Sequence, residues 1–199
     1  LKHEQGQRGA HIISASAEAL VDGAMQDPEY ATHFLQAIDR NSLRLGALIE
    51  DLLRIARLEE GRQPLDLRPV ALEHLITEVT EVLGPRLNDR RHRLVVDIPP
   101  DAIVLADPGA VEQVLVNLLE NASKYTPDKG TILVRTAPVP DDEGDLRIEI
   151  ADDGPGIAEH HRARLFERFY RVDPGRAREV GGTGLGLAIV KHLAEAMNG

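Results

Sequence analysis

The sequence contains no cysteine and no tryptophan, and its 199 residues include only three phenylalanines and three tyrosines. Without cysteine there are no disulfide bonds, no thiolate metal sites and no cysteine nucleophile, and the chain suits a reducing compartment. No apolar run approaches the roughly 20 residues that a membrane-spanning helix needs, and no signal-peptide pattern follows Leu1. We therefore expect a soluble piece of a longer protein.

Basic residues are scarce relative to acidic ones, with 23 Lys and Arg against 33 Asp and Glu. The formal net charge is −10 and the pI is near 5.3. A chain of this charge repels the phosphates of nucleic acids and of anionic membranes unless its basic residues cluster, and no basic stripe is visible. The composition therefore argues against a nucleic-acid partner.

Residues 1–60 carry the pattern of two helices. Asp27-Pro28-Glu29 predicts the start of the longer one, because it combines a capping carboxylate, a proline in the first turn and an acid at the positive end of the helix dipole. The apolar stripe of this helix comprises Leu35, Ile38, Leu45, Leu48, Ile49, Leu52, Ile55 and Ala56. A shorter stripe precedes it and comprises Ile12, Ile13, Ser16, Ala19 and Leu20. The spacing of both stripes predicts a helical hairpin.

Two helices cannot bury two wide apolar stripes by themselves. A second copy of the chain could cover them, which predicts a homodimer with a four-helix bundle at its centre. The alternative is that the stripes pack on the remainder of the same chain.

The pattern changes after the hairpin. Gly61-Arg62-Gln63-Pro64 interrupts the helix and begins a polar segment, so we place a linker at residues 61–70 between domains at 1–60 and 71–199. Helical patterns follow at residues 71–88, 108–124 and 184–197, and strand patterns at 94–98, 103–105, 131–136 and 146–151. Helices and strands mix without regular βαβ alternation, so the predicted fold class is α+β, with an α/β sandwich as the second domain.

A polar helical face is the first of three clusters that could carry chemistry. Asn117, Glu120, Asn121 and Lys124 recur at helical spacing, and Tyr125 follows them. An amide oxygen suits Mg²⁺, and a lysine ammonium suits phosphate. The solvated face of an amphipathic helix would have the same pattern, so this cluster alone does not specify a site.

Two glycine-containing turns form the other clusters. Asp152-Asp153-Gly154-Pro155-Gly156-Ile157 follows a predicted strand. Its first carboxylate could accept a hydrogen bond from an exocyclic amine beside the glycines, although a plain tight turn would look the same. Gly181-Gly182-Thr183-Gly184-Leu185-Gly186-Leu187 precedes an apolar helix whose first N–H groups could bind phosphate. Its spacing matches neither the dinucleotide fingerprint nor the P-loop.

In this order and spacing, the three clusters resemble the N, G and glycine-rich boxes of the histidine-kinase ATP-binding domain. Residues 165–173, which hold three of the six Phe and Tyr residues, resemble the phenylalanine box of that family. Residues 52–59 are similar to the end of its second dimerisation helix. The resemblance covers essentially the whole chain and is to membrane sensor kinases of the phosphate-sensing type.

The resemblance implies an ATP site with Mg²⁺. Asn121 would ligate the metal with Asn117 alongside, and Lys124 and Tyr125 would contact the nucleotide. Glu120 is similar to a residue proposed in the family to assist proton transfer.

The G box and the loops around it would complete that site. Asp152 would bind the adenine amino group, and Arg171 would reach the phosphates during transfer. Residues 172–186 would form a lid over the nucleotide. The other cofactor-binding positions that the resemblance implies are Gly154, Gly156, Ile157, Phe169, Tyr170, Gly182, Thr183, Gly184, Leu185, Gly186 and Leu187.

The family also places a phosphoacceptor histidine on the first helix, followed by an acidic residue. His3-Glu4 resembles this pair, but Gln7 and Arg8 stand where the family has Thr or Asn and then Pro. His3 is therefore the predicted acceptor, and Glu4 would accept its other proton. His11 is the rival, and an altered or missing acceptor is the third alternative.

The resemblance predicts a sensor histidine kinase core that binds ATP with Mg²⁺, phosphorylates its own histidine and passes the phosphoryl group to an aspartate of a response regulator. A nucleotide-binding pseudokinase scaffold is the alternative, and an ATP-driven clamp of the chaperone or topoisomerase kind is a third. We expect a cytoplasmic location, with the parent chain anchored in the inner membrane. The family continues with further strands after its last helix, and we expect those strands to be missing after residues 196–199.

Overall fold

The structure is a computed structural model that describes residues 4–60, 64–139, 145–172 and 182–199. It has an α+β fold in which two helices precede a part that contains both helices and strands, so the predicted fold class is confirmed. Within these ranges, no helix is both long and apolar enough to cross a lipid bilayer.

The hairpin consists of α1, Glu4–Val21, and α2, Pro28–Glu59, joined by a short 3₁₀ helix at Ala24–Gln26. The side chain of Asp27 accepts a hydrogen bond of 2.9 Å from the N–H of Glu29. This contact satisfies one of the free donors in the first turn, as a capping aspartate does. The predicted start of the long helix is confirmed.

The second part of the chain mixes short strands with helices. Its elements are β1, Arg68–Ala71; α3, Leu72–Asp89; β2, Arg93–Asp97; β3, Ile103–Ala106; α4, Pro108–Tyr125; β4, Thr131–Pro138; β5, Leu146–Asp152; α5, Glu159–Arg162; and α6, Gly186–Ala196. β1 and β3 form an antiparallel two-stranded ribbon. In a separate mixed sheet, β4 pairs in parallel with β2 and antiparallel with β5.

Strand β1 differs from the sequence prediction, which assigns residues 68–70 to the linker. Only Val70 of this strand is buried, and Pro69 lacks a backbone N–H, so neither alternation nor strand propensity indicates it. Its pairing with β3 decides the structure of this segment, with Val70 opposite Val104.

The core of the second part lies between the mixed sheet and the helices α3 and α4. The fully buried side chains at this contact are Leu72, Ile76, Leu115, Leu119, Ile132 and Val134. The spacing of residues 71–88 predicts one apolar face, and all its members are buried: Leu72, Leu75, Ile76, Val79 and Leu83. In α4 the predicted inward residues are Val111, Val114, Leu115 and Leu118. Val111 and Leu115 are buried and Leu119 completes the buried row, whereas Val114 and Leu118 are only partly buried.

A second apolar cluster joins the hairpin to the rest of the chain. Leu48 and Ile55 of α2 are 6% and 1% exposed and pack with Ala110 of α4, Ile189 of α6 and Leu185, the residue that precedes α6. The apolar face of α6 is too wide for α4 alone to cover, and α2 covers the rest. At Leu48 and Ile55, the alternative interpretation applies, because the remainder of the same chain covers these two side chains.

Another side of α2 remains open. Leu35, Ile49 and Leu53 are 58%, 57% and 52% exposed and recur at helical spacing. We call these three residues the open row. It is the part of the hairpin surface that a second copy could cover.

Asp107 ties the start of α4 to the segment that enters the second part. Its Oδ1 accepts a hydrogen bond of 2.9 Å from the N–H of Ala110, and its Oδ2 accepts one of 2.8 Å from the N–H of Asp66. Burial on its own would raise the pKa of Asp107, but the backbone N–H groups of Asp66, Ala110 and Gly109 outweigh it and hold the pKa below its ordinary value. The ionised carboxylate of Asp107 therefore stabilises the folded chain.

Replacing Asp107 tests this tie. Asp107→Ala removes the cap and the contact to Asp66, and we expect the free energy of unfolding to fall by about 1–2 kcal/mol in urea denaturation at pH 7. Asp107→Asn is the matched control, because an amide oxygen can still cap the helix without the charge.

The additional stability that Asp107 gives the folded chain, compared with asparagine, should also depend on pH. Because the folded pKa lies below the unfolded value of about 3.9, the stabilisation is present above that value and is lost as the pH falls through the folded pKa. We would measure the free energy of unfolding of the native chain and of Asp107→Asn. If the difference between the two stays constant between about pH 7 and pH 3, the lowered pKa of Asp107 does not contribute to stability.

Candidate functional site

The polar face of α4 divides between two neighbouring helices. Glu120 turns toward α3, where its carboxylate accepts a hydrogen bond from Arg86 and lies 3.7 Å from Nζ of Lys124. Asn117 contacts Gly186 at the start of α6. All four predicted polar residues are partly buried, so neighbouring elements cover a face that a simple amphipathic helix would leave in solvent.

Asn117 holds an unsatisfied donor beside residues 182–186, which we call the glycine loop. Its Oδ1 lies 3.0 Å from the position that a Cβ on Gly186 would occupy, so a larger residue there would force a shift. Its Nδ2 is buried and has no hydrogen-bond partner among the residues that the structure describes. Buried amides almost always have partners, so this atom marks a place where an acceptor from a ligand would fit.

Oxygen ligands for a divalent cation are few at this place. In the part of the chain that the structure describes, no three His, Asp or Glu side chains lie close enough together to hold a metal ion. The side chain of Asn121 is partly buried and has no hydrogen-bond partner among those same residues. One amide oxygen with water and phosphate oxygens is a set that Mg²⁺ accepts, so Asn121 fits a metal that arrives with a nucleotide. The contact with Gly186 instead turns the amide of Asn117 toward α6.

The turn after β5 packs against the end of α4. Asp152 Oδ1 accepts a hydrogen bond of 2.7 Å from the N–H of Gly154, which closes an Asx turn. A Cβ on Gly154 would stand 2.4 Å from that oxygen and 3.2 Å from the carbonyl oxygen of Tyr125. Gly156 has a φ of +70°, which also favours glycine, and Ile157 is 40% exposed. The tight-turn interpretation therefore accounts for Oδ1 of Asp152, which closes the turn. Oδ2 of Asp152 could accept a hydrogen bond from a ligand.

The glycine loop contacts residues 165–172, which we call the phenylalanine-rich segment. The N–H of Phe169 donates a hydrogen bond of 2.8 Å to the carbonyl oxygen of Gly184. Gly184 has a φ of +72°, and a Cβ there would lie 3.0 Å from Cα of Phe169, so both its conformation and this contact require glycine. Leu185, which precedes α6, is fully buried, and Leu187 in the first turn of α6 is partly buried.

Arg171 reaches the same loop. Its Nη1 donates a hydrogen bond of 2.9 Å to the carbonyl oxygen of Gly182. Nη2 of Arg44, from α2, lies 3.5 Å from the same oxygen. Burial lowers the pKa of Arg171, the phenol of Tyr125 opposes that change, and the positive charge of Arg44 adds to it. Cationic groups therefore gather where the prediction places phosphate.

Tyr170 is held by two residues that sequence reasoning did not select. Its hydroxyl lies 2.5 Å from Nδ1 of His161, and the guanidinium of Arg164 lies 4.3 Å from the centre of its ring. These contacts fix the side chain just before Arg171. The sequence contains no signal for them, since an isolated His-His pair in a polar helix most often faces solvent.

Helix α2 contributes a further residue that sequence reasoning missed. Thr183 donates a hydrogen bond of 3.0 Å to Oδ2 of Asp51, and its own hydroxyl oxygen accepts one of 3.2 Å from the N–H of Leu185. Burial raises the pKa of Asp51, while the hydrogen bond from Thr183 and the charge of Arg54 partly offset that effect. Asp51 appears in the sequence as a polar residue on an exposed helix, and only the fold brings it to the loop.

The predicted acceptor and part of the predicted lid cannot be placed. His3 and residues 173–181 lie outside the described residues, as does the side chain of Glu4, whose backbone begins α1. His11, the rival acceptor, is exposed on α1.

The described site residues otherwise come together from four segments. The end of α4, the turn after β5, the phenylalanine-rich segment and the glycine loop meet through the contacts of Gly186, Gly154 and Gly184. Glu120 is the exception, because its carboxylate is engaged by Arg86 on α3. The arrangement sets two glycine-containing turns beside the end of α4, with the guanidinium groups of Arg44 and Arg171 at the glycine loop. Cationic groups that suit an anionic ligand therefore lie next to turns that only glycine permits.

Comparisons with known proteins agree with this geometry. Residues 106–199 match the family described as histidine kinase-, DNA gyrase B-, and HSP90-like ATPase. The phosphate regulon sensor protein PhoR of Pseudomonas aeruginosa is 36% identical over 182 residues, which cover 92% of this chain and 40% of PhoR. This chain spans less than half the length of the curated relatives that it matches.

Two solved structures extend the comparison. A mycobacterial sensor histidine kinase, MprB, is 32% identical with a TM-score of 0.57, over 66% of this chain and 80% of that one. Full-length ShkA, solved in complex with AMPPNP, is 31% identical with a TM-score of 0.72, over 95% of this chain and 41% of that one. Both the helical hairpin and the ATPase fold are therefore shared with known kinases, and the chain belongs to the sensor histidine kinases.

Proposed function

We propose that this chain binds ATP with Mg²⁺ in its second domain, residues 71–199, and transfers the terminal phosphoryl group to a histidine of the hairpin, residues 1–60. The observation that carries the proposal is that the end of α4 meets both the turn after β5 and the glycine loop, where Arg171 contacts Gly182 beside the unsatisfied amide of Asn117. The turn would take an adenine ring, and the glycine loop with its arginine would take the triphosphate.

Asp152 would recognise the adenine ring. Its Oδ1 is held by Gly154, which fixes the carboxylate, and Oδ2 is left to accept from the exocyclic amine. Gly154 and Gly156 leave space for the ring beside it, and the exposed side chains of Tyr125 and Ile157 would flank the opening.

Lys124, Arg171 and Asn121 would serve the phosphates. Lys124 and Arg171 carry positive charge toward the developing charge of the transferred group, and Asn121 would hold the metal. Bound Mg²⁺ would neutralise phosphate charge and orient the terminal group. Asn117, which the sequence predicts beside the metal, would act differently. Its amide Nδ2 would donate a hydrogen bond to the nucleotide or to the glycine loop.

The acceptor histidine would attack as a neutral imidazole. One ring nitrogen forms the bond to the terminal phosphorus as the bond to the bridging oxygen breaks, so ADP leaves, and the proton on the other ring nitrogen passes to Glu4. Glu120 can assist only after it leaves Arg86 and Lys124. The second domain would have to move relative to the hairpin between docking and transfer.

Partners follow from the sensor-kinase family. A homodimer through the open row and an aspartate of a response regulator as the receiver of the phosphoryl group complete the proposed function. A cytoplasmic location with an inner-membrane anchor in the parent chain is part of the same proposal.

Phosphorylation of the hairpin is the direct test. Incubation with γ-labelled ATP and Mg²⁺ should give a label that is stable in alkali and lost in acid, and His3→Gln should abolish it. His11→Gln is the matched control and should retain the label. Label lost only in His11→Gln would move the acceptor to His11. Nucleotide binding with no label would favour the scaffold alternative, and steady hydrolysis with no label would favour the clamp.

Base selection tests Asp152. Guanine presents a carbonyl oxygen where adenine presents its amine, so ATP should bind about ten- to hundredfold more tightly than GTP in calorimetry. Asp152→Asn should weaken ATP binding and narrow this ratio. Asp153→Asn is the control, since Asp153 accepts a structural hydrogen bond of 2.7 Å from the N–H of Thr131. If Asp152→Asn lowers the melting temperature but leaves the ratio unchanged, Asp152 only closes the turn.

The open row tests dimerisation. Leu45 is unsuitable for this purpose, because it packs on Gly9 within the chain. Ile49→Glu with Leu53→Glu would place two charges in the proposed interface, and light scattering should show a monomer. Leu43→Glu is the control, since Leu43 is 69% exposed and lies off the row. A double variant that remains dimeric would rule out this interface.

A further inference from the structure

Arg44 extends from the hairpin helix α2 to the glycine loop of the other domain. It is partly buried, and its Nη2 lies 3.5 Å from the carbonyl oxygen of Gly182. Among the residues described, it forms no ion pair with a carboxylate. A guanidinium has five N–H donors in a rigid fork, and one long bond to a neutral oxygen uses little of that capacity.

Arg171 converges on the same oxygen from the other side of the loop. Its Nη1 donates to Gly182 at 2.9 Å, so guanidinium groups from two domains surround one carbonyl. They are close enough for the charge of Arg44 to lower the pKa of Arg171, in the same direction as burial. Like charges held together in a partly buried place favour an anion between or beside them.

The position of Arg44 is set by the helix that carries it. Asp51 lies seven residues later on the same face of α2 and holds Thr183, the residue after Gly182. Leu48 lies between them in sequence and is buried in the cluster that joins α2 to α6. The backbone of the loop and the stem of Arg44 are therefore fixed relative to each other while the hairpin is docked.

We propose that Arg44 binds the terminal phosphate of the nucleotide together with Arg171, so that the docked hairpin completes the phosphate site. A fork of donors suits two phosphate oxygens at once. The inference rests on the proposed ATP site, and it adds a phosphate ligand from the other domain. By linkage, a nucleotide that carries the third phosphate then favours the docked arrangement.

Nucleotide affinities of the full 199-residue chain test this role. Calorimetry with ATP and with ADP, both with Mg²⁺, gives the ratio of the two affinities. Arg44→Ala should reduce ATP affinity about tenfold and ADP affinity much less, so the ratio falls. Arg44→Lys should keep part of the ratio, because it keeps the charge without the fork.

Arg54→Ala is the matched control. Arg54 lies on the same helix, carries the same charge and bonds to Gln113 of α4, so it crosses the same contact between domains without touching the glycine loop. The ratio of ATP affinity to ADP affinity for Arg54→Ala should equal that of the native chain. Thermal melting should show that all variants are folded. If Arg44→Ala does not fold, the change in ratio for Arg44→Lys decides the matter.

Two results overturn the inference. If the ratio of ATP affinity to ADP affinity in Arg44→Ala equals that of the native chain, whether or not both affinities fall, Arg44 is only a structural contact to Gly182 and the proposed ATP site stands. A native chain that binds neither nucleotide would overturn the proposed function and this inference together.

Discussion

Burial of Leu185 is the constraint on which the candidate site depends. This side chain sits in the glycine loop, is completely buried, and packs with Ile189 and with Leu48 and Ile55 of the hairpin. Because Leu185 cannot leave the apolar cluster without exposing that surface, the backbone before it is held in place. Thr183 then meets Asp51 on the hairpin.

The same cluster determines how firmly the hairpin and the second domain are joined. Burial of Leu48 and Ile55 contributes about 1.5–3 kcal/mol each as an upper estimate. The ion pair of Glu59 with Arg168 is partly solvated, and such pairs contribute roughly 0–1 kcal/mol; Nε2 of His192 lies 3.7 Å from the same carboxylate. Docking is therefore mainly apolar, and moderate in free energy. An arrangement of this strength can be exchanged for another one, as the proposed transfer of a phosphoryl group between the domains requires.

The polar contacts decide what the docked arrangement does. Asp51 and Arg44 engage two successive residues of the loop, one through a side-chain hydroxyl and one through a carbonyl. Glu120 is meanwhile paired with Arg86. The docked structure thus positions the glycine loop, where we propose that phosphate binds, while Glu120, the predicted proton-transfer group, is paired elsewhere. Binding and transfer would accordingly belong to different arrangements of the same residues.

Local patterns in the sequence were sufficient for most of the fold and for the outline of the site. The cap of α2 at Asp27, the buried face of α3 and the Asx turn between Asp152 and Gly154 depend on residues close together in the chain, where helical spacing and backbone conformation decide the outcome. The fold class and the order of the motifs could therefore be predicted.

Only the tertiary structure decided which elements share a surface. The contact of Asp51 with Thr183 spans 132 residues, that of Arg44 with Gly182 spans 138, and that of Arg86 with Glu120 spans 34. Periodicity identifies an apolar stripe or a polar face but does not identify what covers it. For that reason the sequence could not assign Leu48 and Ile55 to the second domain, nor place Arg44 beside the glycine loop. Packing between distant segments makes those assignments, because each apolar face is buried against whichever surface the complete fold presents.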